Sequence, residues 1–369
     1  IKLDLHISQE IIDPTNSGDP KIIGAAAYNR IINAALLQYF PDVTSRNDKR
    51  MLYQFISTIS YNKLKQFILD NPELIGQNIA FNLKLRSKID MYLKGNFDKN
   101  LDERFRAIKD KEISWINKLA AQDLIHREFN KSFFTNADSR NPEMAGIWGS
   151  MIGSFFTIIC CMIFAFPVGV MTAIYLERFA PKNKLTDIIE LNINNLAAVP
   201  SIVFGLLGLS IYLGLFGMPR SSSLVGGLTL ALLVLPTIVI TARNAIKAVP
   251  PSITEGALAL GASPLQVVVH HILPLAVPGI MTGTILSVAR ALGETAPLLM
   301  IGMVAFIADA PSNIFDPATA MPVQIYLWSD SPELGFVERT SAAIMILLSI
   351  LLLMNSLAVY LRKKFEIKW

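Results

Sequence analysis

The chain has 369 residues, of which 52% are hydrophobic, and its mean hydropathy of +0.44 is too high for an ordinary soluble protein. Its formal net charge of +4 is small and dispersed, which argues against a nucleic-acid-binding protein. Charged residues are unevenly spread, because residues 1–140 hold 21 of the 33 Lys and Arg side chains and 17 of the 29 Asp and Glu side chains. The composition therefore predicts a soluble region followed by a membrane region.

The first 140 residues have the pattern of a globular, mainly helical domain, 1–140. The alternation of apolar and polar residues predicts a strand within residues 1–12, followed by a turn-rich stretch, DPTNSGDP. One of the later predicted helices opens with Asn71-Pro72-Glu73, which is typical of a helix N-terminus. The predicted helices cover residues 22–40, 47–69, 72–94 and 101–130.

A membrane region of five predicted spans follows, because five stretches are apolar over the length needed to cross about 30 Å of hydrocarbon. Together they predict one transmembrane domain over residues 146–361. No apolar stretch of that length precedes residue 145. The predicted spans lie at about 146–176, 187–214, 224–247, 276–307 and 340–361.

Loop charges predict the orientation of these spans. Lys and Arg concentrate in the loop 177–187, in the segment 243–275 and in the tail, which the positive-inside rule places in the cytoplasm. Counting back three spans puts residues 1–140 outside the cytoplasmic membrane. An external domain ahead of an odd number of spans needs an entry helix, so we expect a first transmembrane helix upstream of Ile1.

The segment 252–274, which we call the coupling loop, predicts two short helices at the cytoplasmic surface. Ser252 and Glu255 have the spacing of a capping box, and Gly261 stands where a helix needs a residue that takes positive φ. Ser263-Pro264 then predicts a second helix start. A helix–glycine–helix unit on a membrane face is suited to docking a partner, and Glu255 can cap a helix as well as contact that partner.

Two ionisable residues, Arg290 and Glu294, interrupt the fourth span. Such residues at membrane depth cost about 2.5–3.5 kcal/mol each on insertion scales and generally face a cavity or a partner. Their spacing of four predicts that they lie on one helix face. One interpretation is a structural ion pair; the other is that Arg290 offers a guanidinium to a tetrahedral oxyanion in transit while Glu294 tempers its charge.

Other polar or reactive residues give weaker signals. The adjacent Cys160 and Cys161 are predicted to be lipid-facing or packing residues, and His270-His271 to lie at the surface. We predict no metal site and no catalytic residue in this chain. A polar group at the start of the second span is interpreted as interhelical or interfacial; it comprises Glu190, Asn192, Asn194 and Asn195.

The coupling loop resembles the EAA loop of ABC-importer permeases, which reads E-A-A-x-x-x-G, nine residues, then I-x-L-P. Gly256 replaces the first alanine, Ala257 and Leu258 follow, and His271 stands at the isoleucine position. The combination of AVPPSITEGALALGAS with ARALGETAPL, preceded by ELNINNLAAVPSIVFGLLGL, is more specific. It resembles the phosphate-specific permeases of the PstA family over about residues 148–361.

The resemblance implies a mainly α fold, a polytopic helical bundle of the ABC-importer permease type in the bacterial inner membrane. It implies that Arg290 and Glu294 serve phosphate passage and that the coupling loop binds an ATPase through Glu255, Gly256, Ala257, Leu258 and Gly261. The expected partners are a second permease (PstC-like), a dimeric ATPase (PstB-like), an external phosphate-binding protein (PstS-like) and membrane lipid, with no nucleic acid. No Walker motif is present in this sequence, so no cofactor is expected on this chain, and ATP and Mg belong to the ATPase.

Three alternatives remain beside a phosphate importer. The chain could be an ABC permease for another anion or an organic solute, such as sulfate, molybdate or a phosphonate. It could be a sensor, although we expect no output module in the eight residues after Leu361. An ion-coupled secondary transporter would leave the coupling loop unexplained.

Overall fold

The computed structural model describes residues 1–96, 102–304 and 306–365. The chain forms two compact units. The N-terminal unit comprises Ile1–Lys131 with Arg140–Met144 and Glu333–Gly335, and the membrane unit comprises Ser132–Ser139, Ala145–Pro332 and Phe336–Trp369.

The N-terminal unit is mostly helical with one small antiparallel sheet. Its strands β1 (Lys2–His6) and β2 (Asn78–Asn82) pair with Leu3 opposite Phe81. The alternation in β1 buries Leu3 and Leu5, which lie in a core with the surrounding helices. Those helices are α1 (Gln9–Ile12), α2 (Pro20–Ala25), α3 (Tyr28–Tyr39), α4 (Arg46–Tyr53), α5 (Thr58–Asp70), α6 (Ser87–Leu93) and α7 (Asp110–Ala121).

The predicted helix over residues 72–94 is wrong. Asn71-Pro72-Glu73 begins a single 3₁₀ turn, Pro72–Leu74, and Gly76 then takes φ +88°, which ends it. The next residues alternate in burial and form β2. The residues typical of a helix start are present, but the segment after them pairs with strand β1, some 75 residues earlier in the chain, and therefore forms a strand.

The membrane unit is built from long apolar helices, as predicted for a polytopic helical bundle. Within the described residues, four helices are long and apolar enough to cross a membrane, and a bent pair makes up to five. The elements are α8 (Lys131–Thr135), α9 (Trp148–Ile174), α10 (Lys184–Ala197), α11 (Ser201–Gly208), α12 (Ser223–Lys247), α13 (Pro251–Ala259), α14 (Pro264–Gln266), α15 (Leu273–Gly293), α16 (Ala296–Met300), α17 (Met321–Ser329) and α18 (Gly335–Phe365).

Two of the predicted spans differ from simple helices. Over the range 187–214, α10 and the helix beginning at Ser201 meet at 100° around Pro200, because the residue before a proline is steered away from helical conformation. Over the range 276–307, α15 ends at Gly293 and Glu294 adopts extended backbone with ψ 121°. Part of this span, residue 305, lies outside the described residues.

Close packing of α9 against α12 forms the centre of the membrane unit. Small residues allow this approach; a Cβ on Gly169 would stand 2.7 Å from Cγ2 of Ile238. Cys160 and Cys161 are both buried in this region, which confirms that they are packing residues.

Candidate functional site

The first helix of the coupling loop starts differently from the prediction. Helix α13 begins at Pro251 with Pro250 as its N-cap, so Ser252 lies inside the first turn, and no side chain hydrogen bond caps this described helix. The predicted capping box of Ser252 and Glu255 is therefore wrong. Proline at the first helical position has its φ already set and lacks an N–H that would otherwise go unpaired, so the proline pair places the N-cap at Pro250, two residues before Ser252.

The end of α13 confirms the prediction for Gly261. Its φ is +86°, its amide donates to the carbonyl of Leu258 at 2.9 Å, and the amide of Ala262 donates to the carbonyl of Ala257 at 3.1 Å. These two bonds form a Schellman motif, which needs a left-handed residue at the glycine position. A Cβ on Gly261 would have no neighbour within 4 Å, so backbone conformation, rather than space, requires the glycine.

The second helix start is also confirmed, although the helix is longer than predicted. Ser263 caps α14: the amide of Gln266 donates to its Oγ at 3.4 Å, and its own amide donates to Oε1 of Gln266 at 2.8 Å. A π-helical segment, Val267–Ile272, then joins α14 to α15 without a break, giving one helix over Pro264–Gly293. The coupling loop is therefore one short helix followed by the first turns of a membrane helix.

Apolar side chains cover the exposed tip of the coupling loop. Leu260 is 92% exposed and Leu265 is 63% exposed, on either side of Gly261, and Leu258 is also exposed. Sequence reasoning missed Leu260 and Leu265, although their apolar character beside the glycine was a visible signal. Glu255 and Gly256 lie on the exposed side of α13, whereas Ala257 is buried and packs within the membrane unit.

Arg290 and Glu294 come together at the end of α15. Nε of Arg290 lies 3.5 Å from Oε1 of Glu294, and the two side chains are 49% and 20% exposed. Arg290 is in the last turn of the helix and Glu294 is its C-cap, and the two side chains pair at the predicted spacing of four. Among the residues that the structure describes, Arg290 has no other ion-pair partner. Its half-exposed guanidinium is able to donate hydrogen bonds to an external anion.

A second group of charges, which sequence reasoning missed, lies at the opposite end of the long helices. Arg243 of α12 contacts Glu190 of α10 at 2.6 Å and Glu177 at 3.5 Å. Glu190 thus makes an interhelical contact, while Nδ2 of Asn192 donates to the carbonyl of Ile188 in its own helix. His270 and His271 are exposed, as predicted. Arg243 and Glu190 are 53 residues apart in the sequence, so no local sequence pattern predicts their contact.

Comparison with known proteins adds to this geometry. Residues 165–367 match the model of a family described as binding-protein-dependent transport system inner membrane component, and residues 1–103 match a domain of unknown function (DUF3333). A probable ABC transporter permease protein, YqgI of Bacillus subtilis, is 34% identical over 206 residues, which are 53% of this chain and 69% of that protein. Two proteins named phosphate transport system permease protein PstA are also similar. That of Mycobacterium leprae is 33% identical over 55% of this chain and 66% of its own length, and that of Haemophilus influenzae is 34% identical over 54% and 69%.

The long apolar helices define an integral membrane protein. The family model covers more than half of the chain. The chain belongs to the family of binding-protein-dependent transport system inner membrane components, and it is a PstA-like ABC permease.

Proposed function

We propose that this chain is the permease subunit of an ATP-driven phosphate importer and forms the translocation pathway with a second permease subunit. The observation that carries the proposal is the Arg290–Glu294 pair, in which a half-exposed guanidinium stands at the end of a membrane helix. A charge at membrane depth is stable only beside water or a partner, so an exposed arginine favours a hydrated path. The PstA relatives support phosphate as the solute.

The chemistry of the pair fits phosphate better than fully ionised anions. A guanidinium donates two parallel hydrogen bonds to a tetrahedral oxyanion. The Glu294 carboxylate lies beside it and can accept a hydrogen bond from a protonated phosphate oxygen. Sulfate has no such proton at neutral pH, so it would meet a repelling carboxylate. This argument ranks importers for sulfate and molybdate below a phosphate importer. A phosphonate can also carry a proton near neutral pH, so the PstA relatives alone favour phosphate over it.

The proposal assigns ATP hydrolysis to a partner. A dimeric ATPase (PstB-like), carrying ATP and Mg, would dock on the coupling loop, where Leu260 and Leu265 are exposed on both sides of Gly261. Apolar side chains at a protein interface lose their contact with water, which stabilises docking. An external phosphate-binding protein (PstS-like) and the second permease (PstC-like) complete the assembly. In this division of labour the chain is a transport subunit, not an enzyme.

The proposed topology places the coupling loop and the C-terminus in the cytoplasm and the N-terminal unit outside the inner membrane. Arg178, Lys182 and Lys184 lie near the end of α9, and Arg243 and Lys247 near the end of α12. The positive-inside rule assigns that end of both helices to the cytoplasm. The last turn of α18 carries Arg362, Lys363 and Lys364.

The proposal is tested by reconstituting the chain in proteoliposomes with its co-expressed partner subunits and the binding protein. We expect uptake of labelled phosphate that requires ATP and is not reduced by a large excess of sulfate. Uptake of sulfate, molybdate or a phosphonate without phosphate uptake would support the alternative importer. Glu294→Gln is the discriminating variant, because loss of the carboxylate should narrow the preference for phosphate over sulfate.

A further inference from the structure

Three charged side chains from three helices meet at the cytoplasmic side of the proposed topology, and we call Glu177, Glu190 and Arg243 the charge hub. Glu177 belongs to the π-helical end of α9, Tyr175–Phe179, Glu190 to α10 and Arg243 to α12. Nη2 of Arg243 lies 2.6 Å from Glu190 Oε1 and 3.5 Å from Glu177 Oε2. The guanidinium therefore connects both carboxylates.

Burial makes this contact more than a surface ion pair. The side chains of Arg243 and Glu177 are only 12% and 18% exposed, and that of Glu190 is 32% exposed. Removing one charged side chain from a mostly buried group leaves the remaining charges unpaired, and an unpaired buried charge destabilises the fold. Lys247 differs, because its ammonium is 3.6 Å from Glu177 and its side chain is 54% exposed. An exposed ion pair of that kind contributes little to the stability of the fold.

The coupling helix α13 is held on the same ends of α9 and α12 that carry the charge hub. Ala257 of α13 is buried in one cluster with Leu176 from the end of α9 and Ile246 from the end of α12. The buried Val249 of the short connection between α12 and α13 belongs to that cluster too. Nη2 of Arg178 also donates to the carbonyl of Ile246 at 3.3 Å. These contacts make α13 and the ends of α9 and α12 one packed body.

Helix α10 is attached to this body in a different way. Each of its residues is at least partly exposed, and Ile193 is the partly buried residue that packs against the cluster. The bond from Glu190 to Arg243 is its charged link to α12. Because side-chain packing of α10 is sparse, this link has a large share in fixing its position.

The far side of the bend connects α10 to the Arg290–Glu294 pair. Helix α11 follows α10 after the 100° bend, and a Cβ on Gly205 of α11 would lie 2.7 Å from Cα of Pro297 in α16. Pro297 comes three residues after Glu294. The bent span therefore touches both the body that holds the coupling helix and the segment next to the pathway residues.

We propose that Arg243 is a positioning residue that transmits movement of the coupling helix to the bent span α10–α11 through Glu190. This inference rests on the proposed function, because it assigns the charge hub to coupling between ATP hydrolysis and transport. A pathway argued from contiguous contacts needs a direct coupling test, since spatial intermediacy alone is an association. The matched control is Lys247→Gln, which removes a neighbouring positive charge outside the charge hub.

A substrate-independent experiment tests the link itself. Spin labels at Ser252 on α13 and Leu191 on α10, both exposed, are placed in a background without Cys160 and Cys161 and measured in the complex with its ATPase, with and without a non-hydrolysable ATP analogue. We expect one narrow distance distribution in each state in the parent protein and after Lys247→Gln, and a broadened one after Arg243→Gln. An unchanged distribution in Arg243→Gln would overturn the inference.

A second measurement distinguishes coupling from a structural role. In proteoliposomes, Arg243→Gln should raise the ATP hydrolysed per phosphate imported by about fivefold or more, the lower end of typical coupling between sites. Arg243→Lys should restore part of the coupling, since lysine keeps the charge but has one donor centre for two carboxylates. If less of the complex assembles but the ATP hydrolysed per phosphate imported is unchanged, the inference is overturned and Arg243 has only a structural role. If the parent complex imports no phosphate, the proposed function fails, and the spin-label distances still decide the role of Arg243.

Discussion

Nε of Arg290 lies 3.5 Å from Oε1 of Glu294 across the end of a helix, with the arginine in the last helical turn and the glutamate on extended backbone. This geometry is a single-point contact rather than a two-pronged one, so the Nη groups are not aligned on the carboxylate. A cation near a helix C-terminus is favoured by the helix dipole whether or not Glu294 is present. The pair is therefore held by one long contact.

Neutralising both members should separate the pathway role from the structural one. If Arg290 merely balances Glu294, the double variant Arg290→Met with Glu294→Gln should restore a working transporter, since an unpaired buried charge is the costly state. We expect instead that the double variant assembles with its ATPase and fails to import labelled phosphate. Normal phosphate uptake by this variant would leave Arg290 a structural residue.

Arg290→Lys is the finer variant at the same position. Lysine keeps the positive charge and loses the planar pair of donors. We expect reduced phosphate uptake with normal complex assembly, measured in the same proteoliposomes as the double variant. Uptake equal to that of the parent would mean that charge alone, rather than guanidinium geometry, serves the passage.

Gly261→Val should uncouple transport from ATP hydrolysis. The residue is held at φ +86° by the Schellman motif, and a β-branched residue in that conformation costs of the order of 1–3 kcal/mol. The direction of α14 relative to α13 should change, and phosphate uptake should fall while basal ATP hydrolysis remains. Survival of both ATPase recruitment and transport would show that the loop is not the coupling element.

The matched control for this variant is Gly256→Ala. Gly256 lies inside the same helix, a Cβ there would have no neighbour within 4 Å, and alanine favours helical backbone by about 0.5–1 kcal/mol. We expect unchanged or slightly higher thermal stability. Because Gly256 is exposed beside Glu255, any loss of ATPase binding would report contact with the partner rather than a distorted loop.

Gly205→Ala should disturb the segment that follows Glu294. A Cβ at this position would lie 2.7 Å from Cα of Pro297 and 2.8 Å from Cβ of Met300, so α11 and α16 must separate. Overpacking of this kind costs about 1–3 kcal/mol. We expect a lower thermal midpoint and lower phosphate uptake. Gly214→Ala is the control, because its nearest contact would be an ordinary 3.6 Å, and equal effects of the two variants would contradict this explanation.

Local sequence rules predicted the parts of the coupling loop that depend on local chemistry. The predictions for Gly261 and for the helix start at Ser263-Pro264 were correct because positive φ and side-chain capping depend on residues within one or two helical turns. The predicted N-cap, Ser252, lies two residues after the observed one, Pro250, because two competing local signals, the serine and the proline pair, are next to each other. Such a conflict cannot be weighed from pattern alone.

Long-range contacts account for the features that the sequence did not predict. Strand β2 pairs with a strand some 75 residues earlier, and Arg243 pairs with Glu190 across 53 residues. Neither contact has a fixed spacing that a pattern could detect. The position of Glu294 beyond the end of α15 likewise depends on tertiary packing of the next segment, where Pro297 is buried against Gly205.

Asp138 provides a pH-dependent prediction outside the membrane spans. Its Oδ1 accepts a hydrogen bond from Nε1 of Trp328 at 2.9 Å, and burial raises the pKa of the carboxyl above its usual 3.8. A raised carboxyl pKa means that the folded state holds its proton longer, so stability is lost as pH rises from 3.8 through the folded-state pKa. Asp138→Asn keeps an acceptor for Trp328 and should remove this loss, giving an unchanged or higher thermal midpoint at neutral pH.

The control for the Asp138 prediction is Asp138→Ala. Trp328 is 3% exposed, so loss of its acceptor leaves a buried indole N–H unpaired, at a cost of about 1–3 kcal/mol. We expect a lower thermal midpoint at every pH for the alanine variant. If the asparagine variant is destabilised as much as the alanine variant at neutral pH, the carboxylate charge itself stabilises the site and the explanation fails.

The topology can be tested by labelling cysteines in intact spheroplasts of a variant that lacks Cys160 and Cys161. A cysteine at Asn100 is one option in the N-terminal region, but that residue lies outside the described residues, so Gln66 on the exposed side of α5 is the better site. A cysteine there should react with a membrane-impermeant thiol reagent if the proposed topology, in which the N-terminal unit lies outside, is correct. A cysteine at the exposed Lys182, in the loop between α9 and α10, should react only after the membrane is broken. The reverse pattern would invert the topology and move the coupling loop away from any cytoplasmic ATPase.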